Sequence, residues 1–232
     1  MIDTAAQYGN EEEIGSAVME SGIGRNDIFI TTKLWTEDVR EERTASALED
    51  SLRRLKTDYV DLFLIHWPAE GFEKAWLEME TIYKSGKARA IGVSNFEKHH
   101  IESLTQKGAE IVPAVNQVES HPYFSNSEII DSGKDIGAVM EAWCPLGGPG
   151  SGEINDETIR DIASEYHKTS AQIILRWHME RGVVVIPKSS NIDRMRQNID
   201  IFDFSMTEED MDRINALERG GRLGAHPDHF DF

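Results

Sequence analysis

The sequence predicts an α/β fold of the (β/α)8 barrel type, with strands that run parallel. Short apolar and β-branched runs alternate with longer amphipathic stretches along all 232 residues, which is the pattern of successive βα units. No GxGxxG glycine fingerprint is present, and its absence favours a barrel over an open dinucleotide-binding sheet. Polar residues follow one predicted strand after another, as on the functional rim of a barrel. We therefore expect one domain over residues 1–232.

Six apolar runs are predicted strands, and an N-terminal stub is a candidate for a seventh. The predicted strands span residues 28–34, 59–66, 88–94, 113–118, 138–145 and 183–188, and the stub spans residues 1–4. A closed barrel of this type needs eight strands. The count therefore predicts an incomplete barrel.

Amphipathic stretches between the strands are predicted helices. They span residues 11–21, 40–55, 72–85, 98–106, 155–167, 170–181 and 193–198. Thr36 and Thr207 are candidate N-caps, and Gly86 is a helix stop. The run GGPGSG at residues 147–152 predicts a flexible loop. The tail from Gly220 has no periodicity, so we expect an ordered cap or a loose end.

Composition excludes several classes of protein. A net charge of −18 and a pI near 4.8 disfavour binding to nucleic acid or to anionic membranes. No apolar run reaches the ~20 residues that span a bilayer. Residues 1–9 contain no cationic region followed by an apolar stretch, so we expect no signal peptide. We therefore expect a cytoplasmic protein with no nucleic acid or membrane partner.

Cysteine and histidine patterns predict no metal site. Cys144 is the only cysteine, which excludes an intrachain disulfide and a thiolate zinc cage, and we expect its thiol to be inert. The pairs His99 with His100 and His226 with His229 have no acidic partner at ligand spacing in the sequence. We interpret them as surface residues.

Four polar residues near strand ends form a candidate acid–base site. Lys33, inside the apolar run IFITTKLW, is costly to bury without a carboxylate, and Asp3 is the natural partner. A nearby ammonium favours the phenolate form of a tyrosine, which makes Tyr8 the candidate proton donor. His66, in LFLIHWP, would present an imidazole to the same place. Taken singly, these residues fit structural roles as well.

Seven ordered segments resemble the signature segments of the aldo-keto reductases. They are IDTAAQYGNEE, TTKLW, LIHWP, IGVSNF, NQVESHPY, EAWCPLG and IPKS, which together cover essentially all of residues 1–198. The resemblance implies reduction of an aldehyde, ketone or dicarbonyl by hydride transfer from NADPH. In that reaction Tyr8 protonates the oxygen, Lys33 and Asp3 tune Tyr8, and His66 orients the carbonyl. Trp143, within EAWCPLG, makes the chain look more like the bacterial diketogluconate and dicarbonyl reductase branch.

The same resemblance implies a cofactor site and a substrate pocket. Ser94, Asn95 and Gln117 would bind the carboxamide, Trp143 would stack on the nicotinamide, and Trp35 and Trp67 would line the substrate pocket. Lys188, Ser189 and Arg194 would form the pocket for the 2′-phosphate of the cofactor, and a strand end followed by a helix N-terminus is a physically sound phosphate seat. The implied cofactor residues are Ser94, Asn95, Gln117, Trp143, Leu146, Gly147, Lys188, Ser189, Arg194, Gln197 and Asn198.

Relatives carry a first strand, a first helix and most of a second strand ahead of the IDTA segment. The resemblance therefore implies an N-terminally truncated (β/α)8 barrel, and we expect weak or no turnover from these 232 residues. Family members are monomers, but two apolar sheet edges predict self-association here.

Two other function classes stay open at this point. One is a catalytically silent nucleotide-binding or regulatory barrel, which would bind NADPH without useful turnover. The other is a hydrolase barrel that uses Glu119 or Asp61, although no second carboxylate lies on a neighbouring predicted strand end.

Overall fold

The structure, a computed structural model, describes residues 1–232. The chain divides into two compact units. Unit 1 contains residues 1–116, 135–138 and 227–232, and unit 2 contains residues 117–134 and 139–226. None of the helices is both long and apolar enough to cross a membrane. The expectation of a single domain stays a prediction.

Seven strands form the sheet, and their order follows the chain. They are β1 (Ile2–Asp3), β2 (Ile30–Leu34), β3 (Leu62–Ile65), β4 (Ile91–Ser94), β5 (Val115–Glu119), β6 (Val139–Trp143) and β7 (Val183–Val185). The pairs β1–β2, β2–β3, β3–β4 and β6–β7 are parallel. The six predicted strands and the stub are all present, which confirms the α/β fold class.

Ten α-helices accompany the strands. They are α1 (Glu11–Glu20), α2 (Thr36–Arg40), α3 (Thr44–Leu55), α4 (Phe72–Ser85), α5 (Lys98–Gln106), α6 (Ser127–Asp135), α7 (Glu157–Glu165), α8 (Ser170–Glu180), α9 (Ile192–Ile199) and α10 (Glu208–Asn215). Three single-turn 3-10 helices span Ala6–Tyr8, Arg25–Asp27 and Glu153–Asn155.

The core of unit 1 lies around β2 and β3. All four residues of β3 are buried, as expected of a parallel strand that is covered on both faces and therefore reads as a continuous apolar run. Trp76 and Met79 of α4 are fully buried and belong to the same cluster. Their spacing of three positions places them on one helical face.

Unit 2 has two smaller cores. One is formed by α7, α8 and α10, with Ile159, Trp177 and Ile214 fully buried. The other contains Ile130 of α6 and Met140 of β6. Both cores are apolar.

Several predicted boundaries are wrong. The predicted helix 40–55 begins only at Thr44, as α3, because Glu42 adopts a left-handed conformation with φ of 56°, which an α-helix does not accommodate. Thr36 is the first residue of α2 and Trp35 is the N-cap. Thr207 does cap α10, since its hydroxyl accepts the backbone N–H of Asp210 at 3.1 Å.

One helix was not predicted, and the lengths of the strands differ from the predicted ones. Helix α6 lies between β5 and β6, where no helix was predicted. Each strand also has fewer residues than predicted; Val60 and Ala88, which were predicted within two neighbouring strands, form only an isolated bridge.

Candidate active site

Unit 1 brings Asp3 and Lys33 into a buried ion pair. The parallel register of β1 and β2 places Asp3 opposite Thr31, two residues from Lys33. The Lys33 Nζ atom lies 2.5 Å from Asp3 Oδ1 and donates to the Thr4 carbonyl oxygen at 3.0 Å. The Lys33 side chain is fully buried, whereas 11% of the Asp3 side chain is exposed. The predicted pairing of Asp3 with Lys33 is therefore present. The hydrogen bond from Lys33 to the Thr4 carbonyl oxygen was not predicted.

Tyr8 lies beside this ion pair. It ends the 3-10 helix Ala6–Tyr8, which Gly9 terminates in the left-handed region with φ of 66°, a conformation that favours glycine. The Lys33 Nζ atom is 5.1 Å from the centroid of the Tyr8 ring. Because Tyr8 is 52% exposed, its phenol is accessible to a molecule from solvent.

His66 follows β3 and packs against Tyr8. Their ring centroids are 5.7 Å apart, and the rings meet edge to face. Burial, together with the positive charge of Lys33, lowers the pKa of His66 to about 3. The Nδ1 atom of His66 is buried and makes no hydrogen bond. His66 is therefore a neutral imidazole at physiological pH.

Aromatic side chains surround His66 and include two that sequence reasoning missed. The Trp35 and His66 ring centroids are 5.2 Å apart. Phe232 stacks on Trp35 with centroids 5.5 Å apart and an interplanar angle of 9°, and Phe230 lies 5.2 Å from Trp67. The end of the tail is thus ordered in unit 1. Its sequence has no periodicity that would have revealed these contacts.

Asn95 connects the ends of β3 and β4. Its φ of 63° is left-handed, a region that asparagine tolerates better than most residues. Its amide nitrogen donates to the His66 carbonyl oxygen at 3.0 Å and to the Ser94 hydroxyl at 3.2 Å. Unit 1 therefore brings Asn95 to His66, and both Ser94 and Asn95 are buried.

Four implied cofactor residues lie along β5, β6 and the loop that follows β6 in unit 2. Gln117 is buried and donates to the Glu141 carboxylate. Trp143 ends β6. Leu146 packs against the α7–α8 core, and Gly147 has a φ of 70°, which only glycine adopts at little cost.

The implied phosphate pocket is at the start of α9 in unit 2. Lys188 and Arg194 are exposed, and neither forms an ion pair with a carboxylate. The Asn191 side chain caps α9 by accepting the backbone N–H groups of Asp193 and Arg194 at 2.9 and 3.0 Å. The Ser189 hydroxyl accepts the Asn191 N–H at 3.1 Å. The remaining implied residues, Gln197 and Asn198, lie on α9.

The histidine pair of α5 has an acidic partner after all. In unit 1 the Nε2 atoms of His99 and His100 lie 3.0 and 3.2 Å from Asp228 Oδ1, so the three side chains form a group of metal-ligand type. The Nδ1 atom of His100 accepts the Glu97 N–H at 3.1 Å, which places the ring proton on Nε2. We therefore interpret the contact between His100 and Asp228 as a hydrogen bond.

Cys144 lies directly after β6. Desolvation and the negative charges of Glu119 and Glu153 raise the pKa of its thiol. A raised pKa disfavours the reactive thiolate, which supports the expectation of an inert cysteine.

The match to known proteins decides the family. The sequence model described as the Aldo/keto reductase family matches residues 1–219. The chain belongs to the aldo-keto reductase family. Aldo-keto reductases use NADPH, and this member is an NADP-dependent oxidoreductase.

Relatives and solved structures support this membership. The chain is 49% identical over 233 residues to a glyoxal reductase of Bacillus subtilis. The aligned region covers all of this chain and 83% of that protein. It superposes on an aldo-keto reductase from a deep-sea metagenome library with a TM-score of 0.95, at 43% identity, over 100% of this chain and 86% of the other. The superposition on a Bombyx mori aldo-keto reductase in complex with NADP has a TM-score of 0.90 at 34% identity. It covers 98% of this chain and 81% of the other.

Proposed function

We propose that this aldo-keto reductase reduces small dicarbonyl compounds with NADPH and that Tyr8 is the proton donor. One observation carries the proposal: the ion pair of Asp3 with Lys33 lies directly beside Tyr8, and Tyr8 in turn packs on a neutral His66. A dicarbonyl such as glyoxal is the substrate class that the printed name of the Bacillus subtilis relative points to.

The residues of the chain fit an NADPH site. The exposed cations Lys188 and Arg194 have no carboxylate partner, so their charges are available to the 2′-phosphate, as implied for this pocket. We assign cofactor contacts to each unit by itself: Ser94 and Asn95 in unit 1, and in unit 2 Gln117, Trp143, Leu146, Gly147, Ser189, Gln197 and Asn198. NADPH, when bound, supplies the hydride.

The proton comes from the protein. When the carbonyl carbon is reduced, negative charge develops on the carbonyl oxygen, and the accessible Tyr8 hydroxyl is placed to protonate it. The Lys33 ammonium, 5.1 Å from the Tyr8 ring centroid, stabilises the phenolate that remains. Asp3 holds Lys33 in place, so it acts through Lys33.

His66 contributes a hydrogen bond rather than a charge. With a pKa of about 3, its ring is neutral and carries one N–H. Because Nδ1 is buried, Nε2 is the nitrogen that we assign to the substrate oxygen. A neutral donor orients the carbonyl and does not compete with Tyr8 for the role of proton source.

Substitution of Tyr8 tests the assignment of the acid. We expect Tyr8→Phe to lose glyoxal reduction by at least about a hundredfold, because proton transfer of this kind contributes roughly 10² to 10⁴ in rate, while NADPH binding is retained. Consumption of NADPH, followed by its absorbance, measures turnover. Tyr83→Phe is the matched control, since Tyr83 is exposed on α4 in the same unit.

The outcomes separate the proposed enzyme from a silent nucleotide-binding barrel. Unchanged turnover in Tyr8→Phe would contradict the role of Tyr8. Binding of NADPH by the unaltered chain without reduction of any carbonyl in a panel of aldehydes, ketones and dicarbonyls would instead support the silent barrel.

A further inference from the structure

Unit 2 contains a buried cluster of three ionisable side chains that the proposed reaction does not use. Glu119 is the last residue of β5, His121 lies two residues later, and Glu153 begins the 3-10 helix Glu153–Asn155. All three side chains are fully buried. His121 Nε2 lies 3.0 Å from Glu119 Oε1, and His121 Nδ1 lies 2.5 Å from Glu153 Oε1.

The cluster holds a charged imidazolium between two carboxylates. Burial disfavours the protonated form of His121, but hydrogen bonds and the charges of Glu119 and Glu153 outweigh it and raise its pKa to about 9. Burial likewise opposes ionisation of Glu119, whose pKa is nevertheless lowered by its hydrogen bonds to His121, Leu223 and Gly224. His121 is therefore protonated and Glu119 ionised at neutral pH.

Glu119 fixes the tail next to Trp143. Its two carboxylate oxygens accept the backbone N–H groups of Leu223 at 2.5 Å and Gly224 at 2.9 Å. A Cβ atom on Gly224 would lie 2.5 Å from Cη2 of Trp143, so the tail backbone is in tight contact with the indole ring. Glu119 thus holds the tail backbone against this ring.

Glu153 fixes the loop that contains GGPGSG. It follows that loop directly, and its Oε1 atom accepts the Tyr123 backbone N–H at 3.3 Å. A Cβ atom on Gly147 would lie 2.4 Å from Glu153 Oε2, so the loop backbone is pressed against this carboxylate. The neighbouring His178 donates from Nε2 to the Pro145 carbonyl oxygen at 3.3 Å and tethers the beginning of the same loop.

We propose that His121 is a positioning residue for NADPH binding: by joining Glu119 to Glu153 it holds Trp143 and the loop 147–152 in the conformation that receives the cofactor. The inference rests on the proposed function, because Trp143, Leu146 and Gly147 are assigned to the cofactor there. A buried charged triad of this kind adds little net stability compared with apolar packing. Its contacts with the tail beside Trp143 and with the loop at Gly147 are what we connect to cofactor binding.

Two variants remove the charge pattern with small changes in volume. We expect His121→Gln and Glu153→Gln each to raise the Kd of NADPH about tenfold, which corresponds to about 1.4 kcal/mol. At saturating NADPH, kcat should stay within about twofold, since the loss affects binding before the chemical step. Glu157→Gln is the matched control, because Glu157 is exposed at the start of α7 and undergoes the same chemical change.

The pH dependence of binding provides a readout that a purely structural role would not move. The charged or titratable groups that act on His121 are Glu119 of β5 and Glu153 of the 3-10 helix, and His178 of α8, which senses the charge of His121. In the unaltered protein and in Glu157→Gln, the Kd of NADPH should rise as the pH passes about 9, where His121 loses its proton. In His121→Gln this step should be absent, with the Kd already raised at neutral pH.

Quenching of tryptophan fluorescence by NADPH measures the Kd, and thermal unfolding shows whether each variant is folded. A wild-type Kd in both variants, with the step near pH 9 retained, would overturn the inference. If His121→Gln does not fold, the pH dependence of NADPH binding by the unaltered protein still tests the inference. A Kd that does not rise near pH 9 would overturn it as well. Failure of the unaltered protein to bind NADPH at neutral pH would contradict the proposed function instead.

Discussion

The Nζ atom of Lys33 lies 2.5 Å from Oδ1 of Asp3, and no part of the Lys33 side chain is exposed to solvent. The contact joins the two-residue strand β1 to β2, and it is reinforced by backbone hydrogen bonds from Ile2 to Phe29 at 2.7 Å and from Thr4 to Thr31 at 2.9 Å. A buried cation in this position depends on a single carboxylate.

Removal of that carboxylate should therefore destabilise the fold. We expect Asp3→Asn to lower the free energy of unfolding by about 3 kcal/mol, because a buried charge that loses its partner costs roughly 3–5 kcal/mol. The double variant Asp3→Asn with Lys33→Met should recover most of that loss. Urea unfolding measures both effects. If the double variant loses as much free energy of unfolding as the two single variants lose together, Asp3 and Lys33 do not stabilise each other.

Stability should also depend on pH through the buried histidines. The pKa values of His66 and His178 are both lowered to about 3, against about 6.5 in the unfolded chain. The unfolded state therefore binds more protons below pH 6.5, and the stability that these residues contribute is lost as the pH falls from about 6.5 toward 3. The loss approaches about 1.4 kcal/mol per pH unit for each histidine.

His178→Gln isolates one of these titrations. Glutamine retains a side-chain amide that can donate to the Pro145 carbonyl but does not titrate, so we expect the decrease in Tm between about pH 6.5 and 4 to become shallower. His167→Gln is the control, since His167 is exposed in the same unit. Parallel pH profiles for His178→Gln and the unaltered protein would contradict the assignment of a neutral buried His178.

Preference for NADPH over NADH should depend on Arg194. We expect Arg194→Ala to reduce the ratio of kcat/KM for NADPH to that for NADH by about ten- to a hundredfold, because a hydrogen bond to a charged group is worth about 1.5–3 kcal/mol. Arg196→Ala is a close control: Arg196 lies on the same helix, is exposed, and pairs with Asp193 at 3.2 Å. An unchanged ratio in Arg194→Ala would remove Arg194 from the phosphate pocket.

The strands and the four catalytic candidates could be predicted because the signal is local. Lys33 and His66 stand out as ionisable residues at the ends of apolar runs, and apolar runs of this length mark buried parallel strands. Helix α6 was missed because its sequence, SEIIDSGKD, contains Ser132 and Gly133, which have low helix propensity. Its two buried isoleucines, not its propensity, hold it in place.

The contacts of the tail could not be predicted from any local pattern. Phe232 packs on Trp35, Asp228 meets His99 and His100, and Leu223 donates to Glu119. Each of these pairs joins positions far apart in the chain, and such partners become visible only when the fold brings them together. For the same reason the segment NQVESHPY does not reveal the partners of His121. The assigned roles of the site residues, the monomeric state and the cytoplasmic location stay predictions.

The complete burial of Lys33 makes its amine an internal probe. An acylating reagent modifies exposed amines such as Lys188 while the protein is native, but it reaches Lys33 only when β1 separates from β2. Mass spectrometry of the labelled chain would then follow that opening over time at a single lysine. The lysine that pairs with Asp3 would also report how often the edge of the sheet comes apart.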